Sequence, residues 1–237
     1  MPAEEGAPAL TGELLDRVRP ILSDVDAAVL AHRAKDRPFG LGCRPALLLV
    51  DLYYAAVGRE RVPLPQALDA WPLSCGLDGW AAVDATVPLV AAARAAGIPV
   101  IHVTGMGPDF TAPWARQARD RSAHDHEFIA EVAPRPGETI IRKPGPSAFN
   151  GTALPHLLQY HGVDTLLVCG ETTSGCVHAT VVDAATLRFR IGIVDECCFD
   201  RVRVMHDLSL LHLDQLYGDV IAAGSAIGYL RQVAGPE

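Results

Sequence analysis

The residues with the most chemical reach lie in the run Gly170-Glu171-Thr172-Thr173-Ser174-Gly175-Cys176-Val177. An apolar stretch, Leu166 to Cys169, ends there in small and hydroxylated residues, and a cysteine follows where a helical pattern begins. This order predicts a buried strand, a tight turn, and a helix carrying a thiol in its first turn. Unpaired backbone N–H groups and the positive end of the helix dipole converge at such a turn. A thiol in that field is expected to have a lowered pKa and to react as thiolate. Cys176 is therefore a candidate nucleophile; the competing reading is a small buried residue, a common role for a free cysteine.

A nucleophilic thiol needs a base and a charge balance. Ala46-Leu47-Leu48-Leu49-Val50-Asp51 is an apolar run that ends in a carboxylate. Thr139-Ile140-Ile141-Arg142-Lys143 is a short run that ends in cations and is stopped by Pro144-Gly145-Pro146. Asp51 can accept the thiol proton, with Lys143 favouring the ionised forms of both. An acyl intermediate on Cys176 would develop charge on an oxygen near the preceding turn, where the N–H groups of Thr172 and Cys176 can form an oxyanion hole. Arg201, in the loop after Arg190–Asp195, is a candidate clamp for a substrate carboxylate, a task suited to bidentate arginine. It could instead pair structurally with Asp195 or Asp200. Among the other cysteines Cys169 reads as core, whereas Cys197 or Cys198 could line the pocket. His124-Asp125-His126-Glu127 contains metal-ligating types, but the pattern matches no standard site and no CxxC pair is present. The expectation is no metal and no cofactor.

Positioning these groups requires a particular scaffold. Residues 10–34 show an amphipathic helical pattern interrupted at Pro20, which predicts an N-terminal arm over residues 1–40 that packs on the domain or on a neighbouring subunit. Residues 41–237 then read as one domain. Strands are expected over 46–51, 98–104, 139–143, 164–169, 190–195 and 219–222, with helices over 79–97, 151–162, 176–187 and 202–217. Residues 58–77 read as an irregular loop. The stretch 105–137 has no strong periodicity, and a segment that long usually covers a site or joins subunits. Strands alternating with helices predict a Rossmann-like, three-layer α/β/α fold with a six-stranded, mainly parallel sheet. Asp51, Lys143, Cys176 and Arg201 then share the C-terminal edge of that sheet, where such folds bind ligands.

Composition narrows the partners. Hydrophobic residues make up 49% of the chain and charged residues 20%, enough apolar content for a filled core. A net charge of -8 disfavours nucleic acid and anionic membrane as partners. The first residues, with Glu4 and Glu5, do not read as a signal peptide, and no run is long enough to span a bilayer. A cytoplasmic setting with six free thiols follows as an expectation.

With those residues in view, the sequence from about Arg44 to Val220 resembles the isochorismatase-like cysteine hydrolases. The resemblance rests on Ala46–Asp51, on Ile141-Arg142-Lys143 with Pro146-Ser147-Ala148-Phe149, and on Gly170–Val177. The last motif looks most like the N-carbamoylsarcosine amidase branch, which is similar to the maleamate amidohydrolases. The resemblance implies an Asp51–Lys143–Cys176 triad and a non-proline cis peptide between Glu171 and Thr172. It also implies an arginine, here Arg201, that binds a substrate carboxylate, and a dimeric or tetrameric homo-oligomer. Tyr53 stands where many relatives carry an amide side chain, so Tyr53, Thr173 and Arg201 are the expected substrate-binding residues. Residues 53–62 hold no histidine, which disfavours the metal-dependent nicotinamidase branch. The implied activity is ammonia-releasing hydrolysis of a small linear amide or ureido substrate through a thioester. The alternatives are a maleamate, biuret or other ureido-acid amidohydrolase, or an isochorismatase-type vinyl-ether hydrolase.

Overall fold

The structure, a computed structural model, describes residues 10–33, 35, 37–106 and 126–235. In chain order the first elements are α1 (Thr11–Val18), α2 (Asp24–Arg33), β1 (Pro45–Val50), α3 (Tyr54–Val57), α4 (Leu64–Ala70), α5 (Gly76–Ala95) and β2 (Val100–Gly105). There follow β3 (Thr139–Lys143), α6 (Leu154–Tyr160), β4 (Thr165–Glu171), α7 (His178–Thr186), β5 (Arg190–Phe199), α8 (Arg203–Leu216), β6 (Asp219–Ile221) and α9 (Ala223–Ala234).

Every residue of β1 is buried, because helices cover both faces of the sheet and leave no wet side for polar residues. Alternate side chains serve opposite layers. Leu47 and Leu49 pack with Trp80, Val83 and Leu89 of α5. Ala46, Leu48 and Val50 pack with Leu158, Val181 and Leu210 on the other face. Each fully buried aliphatic side chain contributes roughly 1.5–3 kcal/mol. The strands lie in the order β3-β2-β1-β4-β5-β6, and every pairing is parallel. The chain walks outward from β1 to β3, then returns to the other side of β1 with β4. That reversal opens a crevice beyond the C-terminal ends of β1 and β4, the switch point of a doubly wound sheet.

Several elements depart from the sequence expectation, each for a local reason. The arm is broken into α1, a 3₁₀ turn at Arg19–Ile21 and α2, since Pro20 cannot supply a helical N–H. Its first half packs on this chain: Leu14 and Val18 are buried, and Arg17 forks onto Asp195 at 3.0 and 2.5 Å. Residues 58–77 contain α4, because Pro65 lies in its first turn, where a missing N–H costs nothing. Residues 223–234, over which no element was expected, form α9, which buries Ala226, Tyr229 and Leu230. Strand β5 runs on to Phe199, pairing Gly170 with Cys198 and Glu171 with Phe199 after a shift of register. Cys197 and Cys198 are consequently buried strand residues, and Cys198 Sγ points to the Val168 carbonyl at 3.7 Å. This corrects the expectation that they lie in a loop; Cys198 does line a cavity, with Asp195, Phe199, Asp200 and His206. Cys169 is core, as expected.

Within 105–137, His124 and Asp125 lie outside the described residues. The part from His126 onward folds over the turn that follows β1: Phe128 bridges Tyr53, and Ile129 N–H donates to the Leu52 carbonyl at 3.3 Å. No described helix is long and apolar enough to cross a membrane.

One glycine is demanded by the approach of β4 to β1. Gly170 has φ +116°, and a Cβ there would lie 1.9 Å from the Val50 carbonyl oxygen. Gly170→Ala is expected to cost about 3 kcal/mol or more, from a strained φ and an overpacked backbone contact. Urea denaturation at neutral pH measures it; a loss below about 1 kcal/mol would contradict this tight approach.

Candidate active site

Asp51 follows β1 directly, and its backbone turns into the left-handed region at φ +56°, which aspartate tolerates better than most residues. Its N–H still bonds the Val103 carbonyl at 2.9 Å, so the strand geometry reaches as far as the carboxylate. The side chain is 1% exposed. Lys143 ends β3, two strands away, and its four-carbon stem spans the end of β2 to bring Nζ 2.8 Å from Asp51 Oδ2. The same Nζ donates to Cys176 Sγ at 3.2 Å. Burial opposes the ammonium charge, but Asp51 and then Cys176 outweigh it and the Lys143 pKa is raised. Asp51 Oδ1 is buried and has no hydrogen-bond partner among the described residues.

The turn that carries Cys176 differs from the expected α-helix start. Residues Thr173–Val177 form a single π-helical turn, with Val177 N–H reaching back to the Thr172 carbonyl at 3.1 Å, and α7 begins only at His178. The Glu171–Thr172 peptide is cis, as the resemblance implied. A Cβ at Gly175 would lie 2.5 Å from Thr172 Oγ1, so a side chain there would displace that hydroxyl. The thiol environment also corrects an expectation. Burial first, and the neighbouring Asp51 second, push Cys176 up to about 12 against the pull of Lys143. A helix dipole falls off within a turn and is a weaker influence than removal of the thiolate from water. At rest the thiol therefore keeps its proton, and Asp51 is the group beside it that can take that proton.

Arg201 follows β5 and turns back toward β4. It forms neither of the ion pairs weighed from sequence: Asp195 is held by Arg17, and Asp200 accepts from Ser174 N–H and Oγ at 2.9 and 2.6 Å. Its Nη2 instead bonds Glu171 Oε2 at 2.8 Å, while Nε is buried without a partner among the described residues. Tyr53 is buried close enough to Asp51, Glu171 and Cys176 that their charges add to burial in raising its phenol well above the usual range. Thr173 is fully buried, and its Oγ1 lies 2.8 Å from His206 Nδ1 of α8. Its hydroxyl is thus engaged with α8 beneath the turn. Taken together, these groups place a carboxylate, an ammonium and a thiol in contact at the C-terminal edge of the sheet, with the Arg201–Glu171 pair beside them, an arrangement able to move a proton from Sγ to a carboxylate.

The Isochorismatase domain model matches residues 75–225 of this chain. The chain belongs to the isochorismatase family. It is 35% identical over 209 residues to maleamate amidohydrolase of Pseudomonas putida, covering 83% of this chain and 91% of that protein. It is 30% identical over 228 residues to N-carbamoylsarcosine amidase of Arthrobacter, covering 87% of this chain and 79% of that protein. An isochorismatase family protein from Desulfovibrio vulgaris superposes with a TM-score of 0.69 at 26% identity, over 80% of this chain and 100% of that one. The names of the first two relatives describe enzymes that cleave carbon–nitrogen bonds other than peptide bonds.

Within this isochorismatase-family site, sequence reasoning assigned no side-chain role to Glu171 or His206 and weighed Asp200 only as a partner for Arg201, whereas His206 and Asp200 brace the turn. Glu171 had a legible signal, a charged residue closing an otherwise apolar strand at the ligand edge. It is buried, accepts from Arg201, and lies 3.7 Å from Cys75 Sγ. His206 and Asp200 had none, since their role depends on α8 and the loop after β5 folding back over the turn. Among the described residues no cluster of three or more histidine, cysteine or acidic side chains is arranged to hold a metal ion.

Proposed function

We propose that this protein is a cysteine-dependent amidohydrolase that cleaves a small linear amide or carbamoyl C–N bond and releases ammonia through a thioester on Cys176. The observation that carries the reading is the Lys143 bridge, with Nζ 2.8 Å from Asp51 and 3.2 Å from Cys176. As Sγ attacks the carbonyl carbon, Asp51 takes the thiol proton and the carbonyl oxygen gains the negative charge, which the Thr172 and Cys176 N–H groups receive. Collapse breaks the C–N bond, and the proton on Asp51 passes to the departing nitrogen, giving ammonia. Asp51 then removes a proton from water, hydroxide attacks the thioester, and the acid product leaves as the proton returns to Sγ. Lys143 stays charged throughout and keeps Asp51 oriented.

Arg201 supports a substrate that also bears a carboxylate, with Tyr53 as an apolar wall. That description fits N-carbamoylsarcosine and maleamate; biuret and other ureido substrates are the alternatives. Ammonia release from these compounds and from nicotinamide, with and without iodoacetamide pretreatment, tests the reading. Turnover of at least one carboxylate-bearing amide, lost on alkylation, is the expected result. Release from none of them, or activity that survives modification of Cys176, would overturn it, and thiol-independent cleavage of a vinyl ether would point to isochorismatase-type chemistry.

The same proposal includes a cytoplasmic setting, where a nucleophilic thiol stays reduced. It also includes a homo-oligomer, dimer or tetramer, joined in part by the N-terminal arm, residues 1–40. Val25 and Val29, one turn apart on α2, are 72% and 49% exposed, and Ile21, in the 3₁₀ turn before that helix, is 54% exposed. Sedimentation equilibrium should return two or four times the 25.2 kDa chain mass. A monomer at micromolar concentration would exclude this assembly.

A further inference from the structure

Beside the Asp51–Lys143–Cys176 cluster lies a carboxylate that the mechanism above does not use. Glu171 lies at the C-terminal end of β4, 6% exposed, with Oε2 on Arg201 Nη2 at 2.8 Å. The same oxygen faces the Cys75 thiol at the entry to α5. Asp51 after β1, Lys143 at the end of β3 and Tyr53 are the other charged or titratable groups whose fields reach it. With Cys176 as thiol and Tyr53 as phenol, the ionised Asp51 and Glu171 are matched by Lys143 and Arg201, while the half-buried Asp200 behind Arg201 is held by the N–H groups of Arg201 and Ser174 and the Ser174 hydroxyl. A substrate carboxylate seated on the unpaired Nε edge of Arg201 would leave one buried negative charge in excess, a costly state in a site with little water.

We propose that Glu171 is a specificity-determining residue: it serves as an internal carboxylate on Arg201, and an anionic substrate binds there together with one proton, taken from solvent onto Glu171. This rests on the amidohydrolase reading for the choice of substrates. Neutral amides displace no charge balance and bind without the proton. Burial already raises Glu171 to about 7, against the pull of Arg201 and with Asp51 adding to the rise. Below that value Glu171 is neutral and Arg201 is free for a substrate carboxylate; above it the proton must be supplied, and anion binding weakens as pH rises.

The test compares maleamate with isocrotonamide, the same cis amide with a methyl group in place of the carboxylate. For the wild type, KM for maleamate should rise by up to about tenfold per pH unit over roughly pH 7.5 to 9, and KM for isocrotonamide should not follow it. Glu171→Gln keeps the shape and a hydrogen-bond acceptor for Arg201, and should flatten the maleamate profile while lowering its KM at the alkaline end. Binding is read independently of turnover by calorimetry on two variants, Cys176→Ala alone and Cys176→Ala combined with Glu171→Gln. With maleamate and N-carbamoylsarcosine, in buffers of different ionisation enthalpy near pH 8, the single variant should take up about one proton per ligand and the double variant none. Parallel profiles for the two amides in the wild type, equal proton counts in the two variants, or no binding of either anion would each overturn the inference. If no amide releases ammonia, the amidohydrolase reading falls, while the calorimetry still decides the role of Glu171.

Discussion

Cys176→Ala is expected to lower kcat by about 10⁴-fold or more on whichever amide the wild type hydrolyses, because on the proposed thioester route removal of the nucleophile disables every later step as a unit. The substitution removes one half-buried sulfur and leaves Asp51 paired with Lys143 at 2.8 Å, so the urea unfolding midpoint should change little. That combination separates loss of chemistry from loss of fold. Mass spectrometry of the wild type, quenched during turnover, should find an acyl adduct on Cys176 and on no other cysteine. Cys169 and Cys197 are fully buried within strands, out of reach of a substrate in the crevice. Retention of more than about a tenth of wild-type activity by Cys176→Ala would exclude the thioester route. The raised thiol pKa adds a kinetic signature. In the free enzyme, alkylation of Cys176 should accelerate with pH well beyond the point where an ordinary exposed cysteine levels off, because burial and Asp51 hold the proton on sulfur up to about 12.

Asp51→Asn carries the second large effect, and it acts on activity and stability together. Loss of the proposed base should cost about 10²–10⁴-fold in kcat/KM. It also leaves the Lys143 ammonium, with a side chain only 6% exposed, without its counter-charge. Breaking one side of a buried pair costs about 3–5 kcal/mol. The contribution has a definite pH dependence. Lys143 titrates above its ordinary value in the fold, so the stabilisation is complete at neutral pH and is lost only as pH rises through that raised value. Adding Lys143→Met to Asp51→Asn should recover most of the stability and none of the activity, a non-additive cycle that identifies the pair as one unit. If Asp51→Asn were as stable as the wild type and the double variant no better, the two side chains would not be coupled as their 2.8 Å contact requires.

Much of the fold follows from local patterning. The unbroken apolar runs of β1 and β4 identify strands buried on both faces, and the residues that end them, Asp51 and Glu171, fall where a parallel sheet presents its ligands. Elements whose signals conflict were less legible. Pro63 and Pro65 suggested a loop where they in fact precede or open α4, because proline breaks a helix interior but is tolerated in its first turn. The continuation of β5 through Cys198 depends on a register shift against β4, and no residue in β5 announces a contact made by its neighbour.

By itself the sequence determined the residue types at the strand ends: a carboxylate, a lysine and a cysteine, each placed by hydrophobic periodicity at the edge of one sheet. Those assignments are local, because period and punctuation are written in consecutive residues. The tertiary structure decided the rest. It set the strand order that makes Lys143 reach across β2 to Asp51, and the burial that keeps the Cys176 thiol protonated despite a nearby helix start. It also paired Arg201 with Glu171 rather than with Asp195 or Asp200. Each of these depends on distances between residues far apart in the chain and on the water excluded from between them, and neither quantity is encoded in any one stretch of sequence.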